Sequence, residues 1–444
     1  MRGLSKGFAV FFVLLLCAGT LFAGGRGQSG GGGKLTLTYI TNRTDRHQDG
    51  SLAARIKAFE DANNCTVNIQ SYTNYQGDVG TMMTTRNYGD VLAMIPAAIK
   101  VVDYANFFEP LGSYSDLNKK YNWLDSSTYN DIVYGIPDMG SISGGLCYNK
   151  RIWREAGITK LPTTPEEFIA DLKLIKKNVP DVIPFYTLYN FSWCITQWNN
   201  LPQSVSGNPN MERDMLLNKV ALLDKESAYY KVFKLMFDVF ADKDLHEPDP
   251  MTDDWEGSKP AINAGKIATM MMGSWAVTQF KQAGERPEDI GYMPPPFTVN
   301  GKQYAQFGGG GYMAINKNSS PEVKALAKKF IIWWAEESGW AQAEGGVPTV
   351  IGGQLPDYLT DYTEVELFTQ NPVPNDLLGV FDEISKISGI SPGTDETGNF
   401  KFQIADAAFG GRPWSYVETT LIPEWNKKWM DALSANEKLK AYRP

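Results

Sequence analysis

The chain is poor in the residues from which most catalytic and metal centres are built. Of its 444 residues only two are histidine and four are cysteine. His47 and His246 stand far apart in sequence. No CxxC or HExxH spacing occurs, so a transition-metal site has no recognisable ligand set. Past the N-terminal segment only Cys65, Cys147 and Cys194 remain. Three cysteines allow one bridge at most, which excludes a disulfide framework. Stability must therefore come from apolar burial, and a chain of this length has enough for two domains. Basic charge is also in short supply: 42 Lys and Arg against 50 Asp and Glu leave a net charge of −8. Such a chain is a poor partner for nucleic acid or an anionic membrane surface. After the N-terminus no apolar run is long enough to span a membrane.

The first residues carry a targeting pattern. Arg2 and Lys6 precede an unbroken apolar run, Phe8 to Leu16, and small residues follow at Ala23, Gly24 and Gly25. Residues 1–25 are expected to be a cleaved signal peptide, because the apolar stretch is too short for a spanning helix. Cys17, after three leucines, loosely matches a lipoprotein box and offers a second reading in which the protein is tethered to a membrane. Residues 26–33, rich in Gly, then form a flexible linker.

From Lys34 the pattern is strand, helix, strand. Leu35, Leu37 and Tyr39 alternate, Leu52, Ile56 and Phe59 recur at helical spacing before Asn63-Asn64, and Cys65, Val67 and Ile69 alternate again. This βαβ unit predicts two parallel strands. Val91 to Ile95 reads as a buried strand, Val182 to Tyr189 as another, and Lys266 to Met272 as a third. Thr164-Pro165-Glu166-Glu167 is a helix start in which cap, first-turn proline and capping box agree. Ser320-Pro321 opens a further helix, and Trp425, Trp429 and Leu433 share a stripe near the C-terminus. Gly308 to Gly311 lacks the Lys-Ser/Thr of a phosphate loop and precedes a strand; it reads as a glycine turn that serves as a hinge or permits a close backbone approach. The acidic pairs Asp253-Asp254 and Glu336-Glu337 raise the thought of a glycoside hydrolase, which needs two opposed carboxylates. They read more simply as a solvated loop and a helix surface. The aromatics are the positive signal: Tyr186, Tyr189, Phe191, Trp193 and Trp198 crowd one segment, Trp275 follows a strand and turn, and Trp414 follows Gly-Gly-Arg-Pro. Flat rings suit the C–H face of a sugar, with amide and charged groups for its hydroxyls.

Four blocks give these observations a frame: YGIP…LCYNKRIWREAG…LPTTPEEF (Tyr134 to Phe168), INAGKIATMMMGSW (Ile262 to Trp275), GGGGYMAINKNSSPEVKALAKKFIIWW (Gly308 to Trp334) and GGVPT (Gly345 to Thr349). In this order the chain resembles the bacterial extracellular solute-binding proteins of ABC importers, in the group that includes maltose-binding protein. The resemblance implies an α/β, two-lobe periplasmic-binding-protein (Venus-flytrap) fold. Each lobe is then a β-sheet flanked by helices, and crossing hinge strands join the two. Lobe 1 would comprise residues 34–143 and 307–348, and lobe 2 residues 144–306 with 349–444 and the C-terminal helices. It implies a non-enzymatic, monomeric carrier that captures a carbohydrate, an oligosaccharide in the first instance, and hands it to ABC permease subunits. No cofactor or metal is implied. The ligand-binding residues implied are Asn42, Arg43, Tyr75, Met94, Tyr189, Asn190, Trp193, Trp275, Gly309 and Trp414, and the hinge residues are Ser141, Ser143, Gly144, Gly308 and Gly310. A secreted glycoside-active enzyme, or a binder of a peptide or polyamine, stands as the alternative.

Overall fold

The computed structural model describes residues 34–442 except 355, 360–363, 372, 375 and 393–398. The signal-peptide, Cys17 and linker expectations lie outside the described residues. The main strands, in chain order, are β1 (Leu35–Thr41), β2 (Cys65–Ser71), β3 (Val91–Leu92), β4 (Ile136–Ile142), β5 (Leu146–Asn149), β6 (Thr269–Met271), β7 (Ile290–Met293), β8 (Gln303–Ile315) and β9 (Val365–Phe368). Short strands at 112–113, 128–129 and 132–133 form a separate ribbon.

β1 lies inside a sheet of order β9-β8-β3-β1-β2, with β4 paired to β8. It runs parallel to β2, with Leu37 opposite Val67. Leu37 and Tyr39 enter one apolar cluster with Phe59, Phe330 and Trp334, while Ile40 enters another with Val79, Tyr88 and Phe108. A strand covered on both faces needs apolar residues on both, which is why the alternation fades towards Thr41. The connecting helix Ser51–Asn63 buries Leu52, Ile56 and Phe59 and stops at Asn64, whose φ of 46° is left-handed. Asn tolerates that conformation better than most residues. The apolar run to Ile95 is strand only over Val91–Leu92; beyond that, Ile95 still donates its N–H to Tyr312 O at 3.1 Å.

β4 and β8 decide the architecture. They pair antiparallel, Phe307 opposite Ile142 and Met313 opposite Ile136. Ile136, Met313 and Ile315 belong to the core that contains β1. Ile142 and Ala305 belong to another core, built with Met270, Met272 and Phe280. Thirteen residues of extended chain reach about 43 Å at roughly 3.3 Å each, so one strand can serve both cores. The chain crosses a third time between Trp340, in the first core, and Val347, in the second, where Val347 bridges to Gly140.

The glycine run is not a turn. Gly308, Gly309 and Gly310 are ladder residues opposite Ser141, Gly140 and Met139, and only Gly311 among the four has a left-handed φ, 55°. Their small size serves close packing: a Cβ on Gly309 would lie 2.9 Å from atoms of Pro137 and Trp123, and one on Gly140 would lie 2.4 Å from Trp123 Cη2. The bend expected over Ser141 to Gly145 is likewise tightly packed. Ser141 is still in β4, Ser143 N–H bonds Gln306 O at 3.2 Å, and a Cβ on Gly144 would meet Asn200 O at 2.4 Å.

The other half centres on the antiparallel sheet β7-β5-β6, in which Cys147 faces Tyr292 and Met270. The helix Pro165–Asn178 starts as its sequence predicts: Thr164 Oγ1 accepts from Glu167 N at 3.2 Å, and Glu167 Oε2 accepts from Thr163 N at 2.7 Å. Val182 to Tyr189 is not a continuous strand; it contributes isolated parallel bridges, Ile183 to Ile267 and Phe185 to His246. Trp425, Trp429 and Leu433, on the helix Ile422–Ala435, enter the large core of this half with Phe185, Phe233 and Phe240. Cys65, Cys147 and Cys194 are buried, and no disulfide joins them among the described residues.

The packing at the crossing makes a direct prediction. Gly140→Ala should lower stability by about 1–3 kcal/mol, the usual cost of overpacking, read as a lower Tm. Adding Trp123→Leu should recover part of that loss, and additive losses would show that the contact does not matter.

Candidate functional site

The site is built where the chain crosses. β6 ends in Gly273-Ser274, and Ser274 is tied to the end of β4: Ile142 N donates to Ser274 Oγ, and Ser274 N to Ile142 O, both at 2.9 Å. Tyr358 donates its hydroxyl to the same Oγ at 2.8 Å. Trp275 then opens the helix Trp275–Gln282. A Cβ on Gly273 would stand 2.5 Å from Trp275 Nε1, so the indole folds back over a residue that has to be glycine. Two further tryptophans complete a wall. Trp193 and Trp255 pack edge to face with centroids 5.1 Å apart, and Trp275 lies 6.2 Å from Trp193 and 6.0 Å from Trp255. All three are half-buried. Lys259 Nζ lies 4.9 Å from the Trp255 ring, within cation–π range.

The first half of the molecule presents charge. After β1, Asn42 is exposed and Arg43 is bonded to Asp45 at 2.9 and 2.8 Å. Arg43 also pairs with Glu344 at 2.5 Å, and Arg46 reaches the other oxygen of Glu344 at 2.9 Å. Glu344 is almost wholly buried, and a buried carboxylate is tolerated where cations such as these two guanidinium groups pair with it. The Arg43 guanidinium lies 5.2 Å from the Trp340 ring, whose Nε1 donates to Asp138 at 3.1 Å. Burial pushes the Asp138 carboxyl up to about 7, although Trp340 and Arg43 pull it down. The two halves touch here: Arg46 donates to Gln282, at the far end of the helix that Trp275 opens, and against the cost of burial Arg43 first, with Lys259 of the other half adding to it, holds the Asp45 carboxyl below the usual carboxylate range. A second link, Lys100 to Asp382 at 3.0 Å, joins them on another side.

Several expected site residues lie elsewhere. Tyr75 is buried, and its hydroxyl donates to Met94 O at 2.8 Å, so it supports the Met94 loop from beneath and has no free face. Trp414 packs on Tyr230 and Phe237 and donates its N–H to Tyr230 Oη at 3.2 Å, in the outer core of the second half and apart from the tryptophan wall. Gly309 is covered by Pro137 and Trp123. Tyr189 is half-buried on Phe402 and Phe409 and donates its hydroxyl to Asp406, while Asn190 is exposed beside it. Met94 is half-buried, with Gln76 on its sulfur. The structure thus groups Arg43 with Asp45, Arg46 and Glu344, and Trp193 with Trp275 and Trp255. Asp45, Arg46, Trp255, Asp138 and Glu344 escaped the sequence reading. Trp255 carries a signal of its own, since it directly follows Asp253-Asp254, but it stands alone in sequence beside the denser cluster at 186–198.

A cavity of about 630 Å³ opens next to the Met94 loop, lined by Ile95, Ala97 and Asp125 from one half and Asn199, Glu212 and Asn371 from the other. A second, of about 620 Å³, is lined by the second half alone, around Pro184, His246 and Phe409.

Residues 44–339 match the model of the bacterial extracellular solute-binding protein family. The chain belongs to this family. Two solved structures share the fold closely. One is a binding protein of an ABC transporter from Bifidobacterium animalis subsp. lactis in complex with mannobiose, 34% identical, with a TM-score of 0.85 over 91% of this chain and 95% of that one. The other is a manno-oligosaccharide specific solute binding protein from the same organism in complex with mannotriose, 33% identical, with the same TM-score and coverage. The diacetylchitobiose binding protein of Streptomyces coelicolor is 25% identical over 292 residues, a match that covers 63% of this chain and 65% of that protein. The fold is therefore the two-lobe α/β one, and the family places the protein outside the cytoplasm. Among the described residues no helix is long and apolar enough to cross a membrane.

Asp138 supplies a pH test of this region. The native protein keeps its proton up to about pH 7, whereas an ordinary carboxyl loses it near pH 4. Stability should therefore fall as pH rises between those values, by about 1.4 kcal/mol per pH unit for one proton, and level off above. Asp138→Asn should remove that share of the slope in Tm against pH; an unaltered slope would show that Asp138 does not hold the proton.

Proposed function

We propose that this solute-binding protein captures an oligosaccharide between its lobes and delivers it to the permease of an ABC importer, without chemical turnover. What supports the reading is the Trp193–Trp255–Trp275 wall, whose helix Trp275–Gln282 meets the Arg43–Asp45–Arg46 group through the Gln282–Arg46 bond. Aromatic faces cover the C–H surface of a pyranose, and charged and amide groups bond its hydroxyls. The likeness to proteins whose structures hold mannobiose and mannotriose favours a manno-oligosaccharide. The exposed Asn42, next to Arg43, and the exposed Asn190 would extend contacts beyond one ring. Contacts made on both lobes favour the closed arrangement by their differential affinity.

The enzymatic alternative needs two carboxylates flanking a bound glycosidic bond. The cleft carboxylates Asp45 and Glu344 are both committed to guanidinium groups, which supports capture.

Calorimetry with mannobiose, mannotriose, maltotriose, diacetylchitobiose, a tripeptide and spermidine tests the reading. Mannotriose should bind tightly and remain intact on recovery. Trp275→Ala should weaken it more than tenfold, which is about 1.4 kcal/mol. Binding only to the peptide or the polyamine, or cleaved sugar, would overturn the proposal.

A further inference from the structure

A buried acidic pair underlies the segments that carry the tryptophan wall. Asp253 was expected in a solvated loop; instead it is 6% exposed, and Glu247 is 4% exposed. The reason is the return of the loop 246–255 beneath the segment 186–190. Glu247 accepts the N–H of Thr187 on both oxygens, at 3.2 and 3.0 Å, and also bonds the Thr187 hydroxyl. Asp253 Oδ2 lies 3.5 Å from that hydroxyl, and Oδ1 has no partner within hydrogen-bond distance. The main-chain N–H groups of Tyr189 and Asn190 face Asp253 and favour its charge. Leu188, between them and Thr187, is held at a φ of 53°, a left-handed conformation that a branched side chain resists. The turn is thus maintained by what lies beneath it.

The charged and titratable groups around the pair are few. From the segment above come Tyr186, whose hydroxyl accepts Asp254 N at 3.0 Å, and the Tyr189 phenol, which is turned away to Asp406. From the helix Ser192–Thr196 comes Cys194, whose thiol is pushed up by burial and then by Asp253. From the loop itself come Asp254 and His246, whose Nδ1 lies 2.7 Å from the Glu247 main-chain oxygen. None supplies a salt bridge to either carboxylate among the described residues. Two buried carboxylates without a cation cannot both be charged at acceptable cost. One proton between them removes that cost and can occupy the unpartnered oxygen.

We propose that Glu247 and Asp253 share one proton and act as positioning residues, holding residues 187–193 against 253–255 so that Trp193 and Trp255 meet. This rests on the wall being the sugar platform. It predicts that oligosaccharide affinity is lost when the proton leaves. The direction agrees with the surroundings: burial first, and the charge of Glu247 next, hold Asp253 well above the ordinary carboxylate range. The native protein keeps this proton where a solvated carboxyl has lost it. As pH rises through the raised value, two charges are left facing each other under the turn and the wall loosens.

The test follows near-UV circular dichroism of the unliganded protein and its affinity for mannotriose from pH 5 to pH 9, in wild type, Asp253→Asn and Glu247→Gln. Each amide mimics a protonated acid and cannot ionise. Wild type should show a one-proton step in the tryptophan signal, and its affinity should fall at least fivefold across the same step. Asp253→Asn should lose that step in both readings and keep only the titration of Asp138 beside Trp340, which Asp138→Asn removes. Glu247→Gln provides the same comparison should the first variant fail to fold. The absence of a wild-type step once Asp138→Asn is introduced, or a step that persists in that background in both variants, would overturn the pair. A step that the variants abolish in a protein that binds no sugar at any pH would uphold the pair and sink the oligosaccharide reading instead.

Discussion

The structure depends on one pairing, that of β4 with β8. Each strand starts in one apolar core and ends in the other, so the two lobes are joined by extended backbone whose hydrogen bonds are already satisfied. A buried linker without regular structure would have to find partners for every N–H and C=O in the space the ligand needs. A two-stranded crossing meets that requirement and can still twist. It also explains the glycines: Gly140 and Gly309 let Trp123 lie directly on the strands, and the lobes approach as closely as backbone allows. Ser274 ties the tryptophan helix to the end of the same crossing, so any rotation there moves the wall with it.

Much of the fold was legible because its signals are local. The βαβ unit, the capping box at Thr164, the cap at Ser320 and the C-terminal tryptophan stripe are each defined by a few neighbouring residues, and all form. The misreadings share a physical cause. Gly308 to Gly311 reads as a turn because glycine permits one, yet here cross-strand partners impose an extended path. Val182 to Tyr189 is apolar enough for a strand, but its hydrogen bonds are split between Lys266–Thr269 and Leu245, so no continuous ladder forms.

The candidate site was half legible. Trp193 and Trp275 stood out as aromatics beside a turn, whereas Glu344 and Asp138 could not, because their importance comes from residues about 200 or more positions away. Tyr75 and Trp414 show the opposite error: a tyrosine or tryptophan after a turn is as able to brace a loop or a helix as to face a ligand. Asp253 is the sharpest case. Two adjacent aspartates normally mark solvent, and only the return of the chain beneath Thr187 buries one of them.

The polar and aromatic sides of the cleft have different tasks. Arg43 and Arg46 are balanced by the two carboxylates Asp45 and Glu344, so in the proposed reading this group would offer oriented donors without a large field, which suits an uncharged ligand. The tryptophans supply area. The central claim is that the sugar lies on this wall and touches both lobes, and a crystal structure with mannotriose tests it most directly. The account predicts a pyranose ring stacked on Trp275 with hydroxyls in reach of Arg43 or Asp45. Sugar bound instead in the cavity between Ile95 and Asn371, clear of all three tryptophans, would contradict it.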